Sequence, residues 1–164
     1  MAIATHTTIR TLSETSVSRA FTILLHRLSD LTRLEGEESK NGRAERREDR
    51  TDDLTHARGA VLAAARETLS TPAEHPLDGP LHRLATLAEL QMTLQSPEER
   101  AYLYTKVMEN HDLFEITGLS AMDRRVRQMQ RVFFKHYSVL IDGPQIAAVT
   151  PEAGQFAARE AIPA

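Results

Sequence analysis

Between Met122 and Tyr137 the residues sort themselves into two opposite stripes, and this pattern constrains the fold more than any other part of the chain. At about 100° per residue, Met122, Val126, Met129, Phe133 and Tyr137 fall on one side of a helix. Arg124, Arg127, Gln128, Arg131 and Lys135 fall on the other. One side demands a core, and the other carries cations to solvent or to an anionic neighbour. Aromatic residues are only 5% of the chain and there is no Trp, so the core is expected to be built mainly from Leu, Ala, Val and Met, a palette suited to packed helices.

The same helical spacing recurs upstream. Val17, Phe21, Leu24, Leu28 and Leu31 follow one another at steps of four, three, four and three, the stripe of a helix that packs along another. It is predicted to run from an N-cap at Ser13 to about Leu34, with Ile23 and Leu25 widening it. From Glu35 to Asp53 the chain is dense in both charge signs and holds no large apolar side chain, which predicts a solvated loop, with a frayed charged extension of a flanking helix as the competing reading. A second helix is expected from Thr51 or Asp52 to about Leu69. Its Ala57, Ala60, Ala63, Ala64 and Ala65, with Gly59, form a smooth surface for a close neighbour.

Pro72, Pro76 and Gly79 break the pattern, and Pro80 opens a third helix through Leu81, Leu84, Leu87, Ala88 and Leu94. Ser96, Pro97 and Glu99 form the sharpest start signal in the chain: a cap, a first-turn proline and a glutamate at capping-box distance. The helix they start is predicted to turn Ala101, Tyr104, Val107 and Met108 inward, with Leu103 on a flank. The expected architecture is an all-α, single-domain bundle of four to five helices over residues 13–141. An extended N-terminus, residues 1–12, and a flexible tail, residues 142–164, flank it.

Several chemistries lack their residues. With no cysteine, thiolate metal sites, disulfides and cysteine nucleophiles are excluded. The nearest pair of glycines is Gly36 and Gly42, too sparse for a phosphate-cradling loop. No HExxH, GxSxG or paired Glu-x-x-His is present. Asp53 and His56 share an i, i+3 relation that would hold a metal only if other helices contributed carboxylates, and no metal or cofactor is expected. The densest titratable cluster, Glu109, His111, Asp112 and Glu115, lies at a helix break, where acid–base chemistry and capping are both open readings. No secretory leader and no window long enough to span a membrane are read, and the net charge of −3 gives no global bias toward nucleic acid. A cytoplasmic protein is the expectation.

Residues Asp112–Thr117, Gly118 and Ser120–Tyr137 resemble a helix-turn-helix: a short helix, a glycine in the turn, and a longer helix with a basic outward side. The resemblance covers about 40 residues once the Pro97 helix is taken as support. It implies DNA binding, with Arg124, Arg127 and Gln128 near base edges and the remaining cations on phosphates. The chain departs from that pattern at Arg124, where an aliphatic residue is usual, and at Phe114, where a small one is usual.

The function expected from these residues is a non-enzymatic helical interaction or regulatory protein. Its partner is another protein or a second copy of the chain, and the surface offered is Arg124, Arg127, Gln128, Arg131 and Lys135. The alternatives are a DNA-binding regulator using residues 112–137 and an enzyme built on the 109–115 cluster.

Overall fold

The computed structural model describes residues 14–40 and 47–141. The expectations for residues 1–12, for Ser13 as a cap and for the tail 142–164 lie outside the described residues. The fold is all-α, with five α-helices among the described residues: α1 (Ser16–Lys40), α2 (Arg47–Ser70), α3 (Asp78–Thr93), α4 (Pro97–Glu109) and α5 (Ala121–Ile141). A single 3-10 turn, His111–Phe114, joins α4 to α5. No described helix is long and apolar enough to cross a membrane.

The α1 stripe is the spine of the core. Val17, Phe21, Leu24 and Leu31 have no exposed surface and Leu28 almost none, as the four-three spacing requires. Ile23 falls outside the stripe and is 53% exposed, because the neighbours of α1 cover one arc and Ile23 points beyond it. Thr15 caps this helix, its Oγ1 accepting from the Ser18 amide at 3.0 Å.

Two contacts set the direction of α5. Arg125 pairs with Glu14 near the start of both helices, and His136 Nδ1 lies 3.0 Å from Thr32 Oγ1 toward the end of both, so α1 and α5 run the same way. α2 runs oppositely. Its Arg58 meets Glu35 late in α1 at 2.9 Å, and the connection after Ser70 returns to the start of α1, where Ser16 Oγ donates to Glu74 at 3.4 Å. α3 packs on α2, α1 and α5 through Leu81, Leu84, Ala85 and Ala88, all buried. α4 lies outside this four-helix core and leans chiefly on α5, with Tyr104 and Tyr137 ring centres 6.0 Å apart. Its inward stripe is therefore narrower than the spacing predicts: Val107 is buried, whereas Met108 is 47% exposed.

Within the charged segment, residues 35–40 and 47–53 are helical rather than looped as expected, in line with the competing reading of that stretch. α1 continues to Lys40 and α2 begins at Arg47, and residues 41–46 lie outside the described residues. Such a segment has little to bury, but it does not need to bury itself. Arg33 and Glu37 pair at 3.0 Å one turn apart, Glu35 reaches across to Arg58, and the apolar halves of both helices already hold the axes in place.

The buried face of α2 is Val61, Ala64, Ala65 and Thr68, narrower than the alanine surface suggests. Ala63 and Gly59 are exposed, and a Cβ built on Gly59 meets nothing within 4 Å. Nothing in the packing requires a glycine there, and a mid-helix glycine costs backbone entropy. Gly59→Ala is accordingly expected to raise stability by about 0.5–1 kcal/mol in urea denaturation, and an unchanged or lower midpoint would show that the site needs its glycine.

The connection from α2 to α3 is fixed by one buried carboxylate. Asp78 is 1% exposed. Its Oδ1 accepts from the Thr15 hydroxyl at 2.7 Å, and its Oδ2 accepts from the Glu74 and His75 amides, each at 2.9 Å. Helix α3 thus starts at Asp78, with Pro80 still in the first turn where its missing N–H costs nothing. At α4 the sequence signal is realised bond for bond: the Glu99 amide donates to Ser96 Oγ at 3.2 Å, the Ser96 amide donates to Glu99 at 3.4 Å, and Pro97 opens the helix.

Candidate functional site

The basic side of α5 is positioned by the cap beneath it. The Ser120 amide donates to Asp123 Oδ2 at 2.8 Å and the Asp123 amide donates to Ser120 Oγ at 3.0 Å, a reciprocal box that uses Asp in place of Glu. The hydroxyl and backbone amide of Ser120, with the Arg127 charge close by, hold the Asp123 carboxyl below its ordinary range. Gly118 makes room for this cap. A Cβ there would overlap the Asp123 carboxylate, so the glycine is needed for close approach. Its φ is not positive.

Above the cap, Val126, Met129, Phe133 and Tyr137 are buried as the stripe predicts. Met122 is only half-buried against the core. Gln130 is buried too, its side-chain amide donating to the Phe114 carbonyl at 2.8 Å. It ties α5 to the 3-10 turn. His136, half-buried beside Thr32, is held below its ordinary pKa by loss of solvent and then by the Lys135 charge.

The five predicted site residues separate into two groups. Arg124 and Arg127 turn back on the connection: Arg124 Nη1 donates to the Leu119 carbonyl at 3.0 Å, and the Arg127 guanidinium donates to the Gly118 carbonyl. They neutralise backbone oxygens ahead of the helix. Gln128, Arg131 and Lys135 stand exposed along one row, and none meets a carboxylate among the described residues. Arg125, absent from the expected set, is the one α5 cation paired with an acid among the described residues.

Beside this row lies a hollow of about 420 Å³ between α5 and the 3-10 turn. Ile116, Phe134 and the stem of Gln130 form its apolar wall, while Arg127, Arg131, His111 and Glu115 stand around it. Sequence spacing alone does not join these residues, because the turn folds back over more than ten positions to reach Phe134. Phe134 and Gln130 nevertheless carry a signal. Both lie at the margin of the apolar arc on the helical wheel, where side chains meet neighbours edge-on.

The 109–115 cluster does not converge. His111 and Glu115 reach the hollow, whereas Glu109 pairs with Lys106 at 2.6 Å on the outside of α4. Asp112 does not line the hollow. Asp53 and His56 are exposed on α2, and no three His, Asp or Glu side chains among the described residues are grouped to hold a metal ion.

Nor is the helix-turn-helix resemblance realised. The first helix of that motif shrinks to the four residues His111–Phe114 in 3-10 form, and the chain leaves it extended at Glu115 (φ −67°, ψ 134°). Phe114 gives the physical reason. Its ring is buried edge-on against Phe134, with centres 5.7 Å apart, and this bulk occupies the place where two helices would cross tightly. Comparison of the chain with protein-family models, with curated proteins and with solved structures finds no match.

Proposed function

We propose that the chain is a helical interaction protein whose outer α5 face docks an acidic protein segment. The observation that carries this reading is the unmatched row Gln128, Arg131 and Lys135 lying beside the hollow floored by Ile116 and Phe134. Arg27, Arg33, Arg58, Arg66 and Lys106 each sit against a carboxylate of the same or the adjacent helix; Arg19 and Arg83, like the α5 row, meet none among the described residues, but neither borders the hollow. Charge left unmatched next to an apolar recess favours a partner that brings acids flanking a bulky side chain, the apolar group supplying affinity and the charges supplying register and on-rate. Arg124 and Arg127 support this face indirectly by holding the turn that forms the wall of the hollow.

A fluorescein-labelled glutamate-rich peptide with one central phenylalanine tests the proposal by anisotropy at low salt. Wild type is expected to bind it, and the double variant Arg131→Glu/Lys135→Glu to bind roughly a hundredfold more weakly, as expected for two reversed charges at an interface. Replacing the peptide's phenylalanine by alanine is expected to weaken binding further. Equal binding by wild type and double variant would overturn the reading. Tighter, steeply salt-dependent binding of generic duplex DNA in the same assay would move the face to nucleic acid.

A further inference from the structure

A second surface lies on the other side of the molecule's odd helix. Because α4 stands off the four-helix core, a groove of about 480 Å³ opens between it and α3, its wall almost wholly apolar. Leu90 of α3 and Leu94 just after it line one side, and Tyr102 and Leu103 of α4 the other. Tyr102 is 65% exposed and Leu90 40%, so apolar surface of both helices is left together at the groove.

The charges around this groove have a symmetry of their own. Glu98 lies one turn before Tyr102 and Lys106 one turn after it, each about 6 Å along the helix axis from the ring. The three side chains form a single row. Lys106 is already drawn to the row, its Nζ 5.5 Å from the centre of the Tyr102 ring and braced from behind by Glu109. Glu98 is fixed at the other end by the Ser96 hydroxyl, which donates to it at 2.6 Å. An anion, a tyrosine and a cation at equal spacing are complementary to the same row read backwards.

We infer that the α3–α4 groove receives a second copy of this chain, with the two α4 helices antiparallel about a twofold axis at Tyr102. In that arrangement Glu98 of each copy faces Lys106 of the other. Each Tyr102 enters the groove bounded by Leu90, Leu94 and Leu103 of its partner. This is an isologous contact, in which one patch serves as both donor and acceptor of the interaction. An unrelated partner has no reason to match the spacing, whereas a copy matches it by construction. The α5 face plays no part in it.

Sedimentation equilibrium of the full chain reads this out. Wild type is expected to show a concentration-dependent monomer–dimer equilibrium, and Tyr102→Glu to remain monomeric with unchanged helical circular dichroism. Glu98→Lys alone and Lys106→Glu alone each place two like-charged pairs across the axis, and each is expected to weaken dimerisation at least about tenfold. An equimolar mixture of these two variants restores both opposite-charge pairs, and a heterodimer of near wild-type affinity is the expected result. Arg131→Glu/Lys135→Glu is expected to dimerise like wild type. The inference is overturned if wild type stays monomeric up to about 1 mM, if its dimer survives Tyr102→Glu, or if mixing the two charge variants restores nothing.

Discussion

Asp78→Ala is expected to remove about 3 kcal/mol of stability, close to the cost of leaving several buried donors without an acceptor. The carboxylate is enclosed and accepts from three donors on two separate segments: the Thr15 hydroxyl ahead of α1, and the Glu74 and His75 amides before α3. Alanine leaves those backbone amides and the Thr15 hydroxyl without their acceptor. It also unfastens the end of the bundle where α1 and α3 both begin. Asp78→Asn keeps one carbonyl oxygen and the shape, so a smaller loss of about 1–2 kcal/mol is expected. Guanidinium denaturation of both variants decides the matter. An alanine variant within about 0.5 kcal/mol of wild type would mean that the clamp contributes nothing.

Phe133→Ala is expected to cost about 4 kcal/mol, a large part of the 5–15 kcal/mol that a domain of this kind has available. Phe133 is fully buried at the centre of an aromatic cluster. Its ring centre lies 6.1 Å from Phe21, 5.6 Å from Phe134 and 5.6 Å from Tyr137. Truncation opens a space at the junction of α1 and α5 that rigid ring neighbours cannot fill by relaxing. Phe133→Leu retains most of the volume and is expected to lose less than about 1.5 kcal/mol. Thermal denaturation showing the alanine and leucine variants equally stable would contradict the central position assigned to this ring.

The difference between what the sequence revealed and what it concealed follows from the range of the interactions involved. The α1 stripe and the Ser96–Glu99 box are local, each written within a few turns, and both appear in the structure as read. The buried face of α5 is equally local, with Met122 the exception, half-buried at the start of the helix. For residues 35–40 and 47–53 the composition does not decide between loop and helix extension, because the support for helix is not local: Glu35 finds Arg58 across the helix pair, and a helix anchored at one end tolerates a charged extension. The helix-turn-helix likeness failed at Phe114, whose destination against Phe134 no spacing rule contains. For the candidate site, the exposed row Gln128, Arg131 and Lys135 was legible from the wheel. The capture of Arg124 and Arg127 by the Leu119 and Gly118 carbonyls was not, because a guanidinium's reach includes oxygens before its own helix. The hollow was illegible for the same reason, being formed by a turn that doubles back.

The parallel course of α1 and α5 has a kinetic consequence. α1, α2 and α3 follow one another in sequence, so their contacts close shorter lengths of chain, such as the 63 residues between Thr15 and Asp78. The contact between Thr32 and His136 spans 104 residues, and closing a long loop costs entropy that only the finished interface returns. The least costly order of assembly therefore brings α5 in last, against a partly formed three-helix platform. On that order Phe133→Ala accelerates unfolding far more than it slows folding, and the outer face of α5 takes shape only at the final step.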